Sequence, residues 1–287
     1  MRYLGSSPKT NGGNGMATQI ETAQREVVLV EDAHVRPMMG NQVLESLPSR
    51  HIPYSQVDPF ILVHEAEVKV DPAREAQDTT HPHRGFDNLW YAISGSSSTG
   101  HSTGPGGSFE RAKLDEGSLL FIRTGRGVLH AEGIGDDERR EGKVTTMRGL
   151  LFWVNLARKD KNVEPFAKVV KPNDVPVRKD GDATIRVLVG EGSPVELGTP
   201  GLILDVQLPN GGAVSIPVKA GFNGFVHMLD GEAGFGANNS RAKRGQIAVL
   251  GPGGVLAVEG AQPSTRFVLM AGKPYGEWPV YNGPYVD

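Results

Sequence analysis

The sequence predicts an all-β protein made of two similar barrels. Three observations predict it: short apolar runs in place of long amphipathic ones, a composition rich in turn formers, and a second half that repeats the layout of the first. The runs begin with Val27 to Val30. Phe60 to Val63, Leu89 to Ile93, Leu119 to Ile122 and Leu150 to Val154 follow. Ile185 to Val189, Leu202 to Val206, Gly224 to Leu229, Ile247 to Leu250 and Phe267 to Leu269 complete the series. Each has strand length and is bounded by Gly, Pro, Asn or Asp, and no long stretch has helical periodicity. The 38 glycines and 20 prolines among 287 residues supply the turns that many short strands require.

The repeat is one of layout. Asn88 to Gly95 ends in Tyr-Ala-Ile-Ser-Gly, and Phe225 to Gly231 ends in His-Met-Leu-Asp-Gly. After a polar stretch each leads to a second apolar run, opened by Gly117 and Gly245 respectively. Two barrels of one design are expected. The boundary falls in the Lys-, Asp- and Pro-rich stretch between Lys159 and Asp182. This gives a disordered, glycine-rich extension over 1–24, a first domain over 25–165 and a second over 166–287.

Charge and cysteine content exclude several classes. A formal net charge of −3 provides no field for nucleic acid or an anionic membrane. The basic run Arg241 to Arg244 reads as a solvated turn. There is no cysteine, hence no disulfide framework, thiolate site or cysteine nucleophile. No apolar run approaches spanning length, and residues 1–15 have no apolar signal core. A soluble cytoplasmic protein is the expectation, with the nucleus an option in a eukaryote.

Two short motifs carry chemistry. In His81-Pro82-His83 two imidazoles stand two residues apart, so on a strand both point to one face. His130-Ala131-Glu132 repeats the arrangement with an imidazole and a carboxylate. Brought together, they offer three neutral nitrogens and one anionic oxygen. That set suits one divalent ion, Fe(II) first, with Mn, Co, Ni, Cu or Zn as alternatives. Four protein ligands on an octahedral ion leave two positions for substrate and dioxygen. An isolated H-x-H is commonly structural, and the two motifs gain weight only together.

The residues around these motifs resemble the pirin family of the cupin superfamily. His-Pro-His-Arg-Gly-Phe at 81–86 and Thr-Gly-Arg-Gly-Val-Leu-His-Ala-Glu at 124–132 are similar to its two signatures. Segments 56–63, 151–156, 267–274 and 282–286 resemble others, in order, from about residue 25 to the end. The resemblance implies a bicupin with metal in the N-terminal barrel only. It carries over His81, His83, His130 and Glu132 as ligands. His227, alone in the second barrel, reads as structural or surface. Asp87 stands where pirins commonly have Glu and is read as orienting a ligand histidine. His101, in a lengthened loop, lines the mouth or, more readily, faces solvent. The run Leu119 to Gly127 departs from the family pattern, which points to a different substrate preference. The chain ends at Asp287, where pirins usually continue into a helical tail.

For function, the resemblance implies a quercetinase-type dioxygenase that opens a flavonol or related phenolic. The partners are a small aromatic substrate and dioxygen, and Glu132 is the catalytic base. Arg126 is read as balancing charge near the site or, equally, as a surface cation. A monomer is expected. The alternatives are a redox-sensing regulatory protein that binds a transcription factor or other protein, and a metal-dependent enzyme for a different small molecule.

Overall fold

A computed structural model describes residues 22–38, 41–70, 78–133, 142 and 144–287. Strand accounts for 58% of the protein, as the short bounded runs require. Each barrel pairs one seven-stranded sheet with one four-stranded sheet, and every ladder between these strands is antiparallel. In the first barrel the large sheet runs Phe166–Val170, Leu119–Arg123, Phe86–Ser94, Thr145–Asn155, Phe60–Val70, Asn41–Leu47, His34–Met38. Its small sheet runs His81–His83, Val128–Gly133, Ser97–His101, Glu110–Leu114. The second barrel repeats both orders. Its large sheet is Val27–Asp32, Gln246–Leu250, Asn223–Asp230, Thr265–Gly272, Gly201–Leu208, Ala183–Val189, Val177–Asp180. Its small sheet is Gly212–Pro217, Val255–Ala261, Glu232–Phe235, Ser240–Lys243. The echo between Asn88–Gly95 and Phe225–Gly231 is thus a pair of strands in equivalent places.

Chain order and barrel membership part at both expected boundaries. Val27–Asp32 belongs to the second barrel, on Gln246–Leu250, and Phe166–Val170 belongs to the first, on Leu119–Arg123. Each barrel therefore lends the other an edge strand. Of the expected extension over 1–24, residues 1–21 lie outside the described residues. Gln24 is already bridged to Val255.

Period-two alternation decides what each face meets. On Phe86–Ser94, Leu89, Tyr91 and Ile93 point out of the first barrel into an apolar core shared with the second, where Ile203, Phe225, Val249 and Met270 complete it. Burying a side chain of this size stabilises by about 2 kcal/mol, so this shared core holds the two barrels together. The charged groups within it are paired, as burial demands. Tyr91 donates to Asp205 at 2.7 Å, and Arg266 forks onto the same carboxylate. Arg148 bridges Glu65 and Asp230. His227, fully buried, lies between Ser46 Oγ and Glu65 Oε2, each at 2.9 Å. It is structural, and the surface option falls away. Among the described residues no helix is long and apolar enough to cross a membrane.

Candidate metal centre

The two motifs meet because their strands are neighbours. Val128 pairs with His83 and His130 with His81, so the same-face residues of both strands enter the first barrel together. The imidazole centroids are 4.5 Å apart for His81 and His83, 5.6 Å for His81 and His130, and 5.7 Å for His83 and His130. A ring nitrogen lies about 2 Å from a bound transition metal, so three imidazoles around one ion have centroids about 4.5–6 Å apart. Glu132 Oε1 stands 3.7 Å from His130 Nε2, too far for a hydrogen bond and suitable for two donors on one ion. Among the described residues no trio of His, Asp or Glu groups is yet closed to an ion-binding geometry. The three imidazoles and Glu132 lie together on the paired motif strands.

Several features prepare these groups. His81 Nδ1 faces Thr79 O, a contact in which the ring nitrogen donates and which orients the imidazole. Thr79 Oγ1 donates to Glu132 O at 2.8 Å, tying the two motif strands together. Phe86 and Trp153 stack at 4.1 Å and both pack edgewise on His83. Gly85 is required for close approach: its φ is +89°, and a Cβ there would lie 1.8 Å from Val286 O. Lys161 Nζ donates to Gly85 O, Asn155 Oδ1 and Val286 O, so the C-terminal segment is clamped beside the ligand strand.

The electrostatics favour ligation. Burial, reinforced by His81 and His130, pushes His83 down to about 3, so its ring is neutral at pH 7. Burial alone would raise Glu132, but His130, His81 and His83 outweigh it and hold the carboxyl below its usual range. His83 Nδ1 and His130 Nδ1 are buried with no partner. An unsatisfied buried polar atom costs about 1–3 kcal/mol. A neutral His83, two further imidazoles and an ionised carboxylate suit a divalent transition metal, and His81, His83, His130 and Glu132 would hold it.

Two other expectations are corrected, and a third resolves between its alternatives. Asp87 does not orient a ligand. It lies on the outward face of its strand, accepts from Arg123 Nε and Nη2 at 2.8 and 3.0 Å, and accepts from Gly198 N at 2.9 Å, joining the barrels. His101 is buried, not solvent-facing. It stands opposite His130, its Nδ1 bonded to Thr103. Arg126 takes the surface alternative, in an exposed ion pair with Glu164.

Alternation also brings in residues the motifs did not flag. Glu45, His64, Leu151, Trp90 and Leu120 form one cross-strand row on the inner face of the large sheet. His64 Nε2 lies 2.7 Å from Glu45 Oε2. A cavity of about 30 Å³ adjoins Glu132 and His130, with Ser97 and Thr99 beside them and Trp90, Leu114, Leu120 and Met147 as an apolar wall. The signal was available: counting by twos from Leu89 puts Trp90 on the opposite face.

Two stacked barrels of this topology, with the donor set in the first, define a bicupin. The pirin model matches residues 40–154 and the pirin C-terminal cupin domain matches residues 203–287. Human pirin is 31% identical over 286 residues, covering 96% of this chain and 88% of that protein. The chain belongs to the pirin family. A quercetin 2,3-dioxygenase from Acinetobacter baumannii has the same fold at 23% identity, with a TM-score of 0.79 and 92% of each chain covered. Pirin YhhW of Escherichia coli, solved with nickel(II), matches at 11% identity and a TM-score of 0.65, covering 86% of this chain and 99% of that one.

Proposed function

We propose that this protein is a metal-dependent dioxygenase that opens the ring of a flavonol or a related phenolic. The observation that carries the reading is the convergence of three imidazoles and Glu132 beside a partly apolar cavity in the first barrel. The name and fold of the Acinetobacter relative agree with it. Bound there, the metal supplies Lewis acidity toward a substrate oxygen. The protein supplies the rest. Trp90, Leu120 and Met147 offer a dry wall for the edge of an aromatic ring. Glu132, held ionised and 23% exposed at its side chain, accepts the proton of the substrate hydroxyl.

The test is oxygen uptake by Fe(II)-reconstituted protein with quercetin, beside Glu132→Ala. The expected result is uptake with release of carbon monoxide in the wild type, and a loss of at least about a hundredfold in the variant. Iron bound without uptake would overturn the reading.

A further inference from the structure

Trp90 Nε1, Ser97 Oγ and His130 Nδ1, all on residues that line the cavity, are buried and unpartnered. His130 belongs to the donor set. Trp90 and Ser97 belong neither to it nor to the networks that join the barrels. Ser97 is 5% exposed. The indole lies where it does because residue 149 is glycine: a Cβ there would stand 2.1 Å from Trp90 Cζ2.

The chemistry of these atoms specifies a guest. An indole N–H only donates, a serine hydroxyl donates or accepts, and an ionised carboxylate only accepts. A hydroxyl that takes hydrogen bonds from Trp90 and Ser97 and gives its own to Glu132 satisfies all three. At about 30 Å³ the cavity holds a substituent of a few atoms and not a whole polycyclic molecule. Its apolar wall of Leu114, Leu120 and Met147 suits the edge of the ring that bears the substituent.

We infer that this cavity is a side pocket that reads one hydroxyl on an aromatic substrate, with Trp90 and Ser97 as its specificity-determining residues. The inference rests on reading the first barrel as a small-molecule site. It adds which feature of the substrate is recognised and by which groups.

The test is calorimetric binding to metal-free and to Fe(II)-loaded protein, with quercetin and with flavone, which lacks ring hydroxyls. Trp90→Phe keeps an aromatic ring and removes the donor, and Ser97→Ala removes the hydroxyl. Each is expected to weaken quercetin about 3- to 10-fold and to leave flavone within about twofold. Gly149→Ala, which displaces the indole, should reproduce the Trp90→Phe pattern. Equal losses on both compounds, or no loss on either, would overturn the inference and mark the cavity as a water site. Wild type that binds quercetin without consuming oxygen would overturn the reaction and leave this inference standing. Wild type that binds neither compound would overturn both.

Discussion

The two barrels share a strand order and differ in what fills them. In the second, Gly212–Pro217 and Val255–Ala261 occupy the places that His81–His83 and Val128–Gly133 occupy in the first. There Ile216 pairs with Leu256 and Val214 with Val258, all buried in one apolar cluster with Ile185, Phe235 and Phe267. In the first, the corresponding pairs are His83 with Val128 and His81 with His130, and the apolar residues break into smaller clusters around them. Unpartnered buried polar atoms follow the same division. Among the described residues His64, His83, Asn88, Trp90, Ser97, His130 and Trp153 carry them on strands of the first barrel, whereas on the side of the second barrel they are carried by Arg25 and Tyr275, which flank its strands. One barrel is a continuous apolar core and the other gives up part of that packing to buried polar groups, which is where local rules of consistency are expected to fail.

The comparison can be broken in four ways. The largest effect on stability is expected from Phe235→Ala, which opens a cavity in the sealed barrel. Urea unfolding should show a loss of about 3–5 kcal/mol, with metal content unchanged. A loss of metal would mean that the second barrel takes part in binding. Next, His83→Ala should lower metal affinity by about a hundredfold or more, whereas His227→Ala should leave bound metal per folded protein unchanged. Equal metal content in both variants, by elemental analysis, would remove the site assignment.

A third prediction concerns the interface. Burial favours a neutral Glu65, but His227 and Arg148 outweigh it and hold its folded-state pKa below the usual carboxylate value. A depressed carboxylate stabilises above its unfolded pKa, and that contribution is lost as pH falls through the folded one. Wild-type stability should therefore decline below about pH 4.5, and Glu65→Gln, less stable at pH 7, should decline less steeply. Parallel denaturation midpoints from pH 7 to pH 3 would contradict this. The smallest effect is expected from Arg126→Ala, within about 0.5 kcal/mol and without change in metal binding, since its ion pair is exposed. A clear loss of metal would return Arg126 to the site.

By itself the sequence determined the all-β class, the two-barrel layout and the two motifs whose strands pair, because those rest on local patterns. Strand length, turn residues and the i, i+2 spacing of His81 and His83 or His130 and Glu132 act within a few residues. The tertiary structure decided what depends on neighbours distant in the chain. It sent Asp87 to Arg123 of its own barrel and Gly198 of the opposite one, buried His101 against His130, and exchanged Val27–Asp32 for Phe166–Val170 between barrels. It also set Trp90 over Gly149 beside the donors, a contact between residues 59 positions apart. A side chain's face follows from alternation, but what it meets there follows from sheet register and from which sheet covers it. Those are fixed only when the whole chain packs.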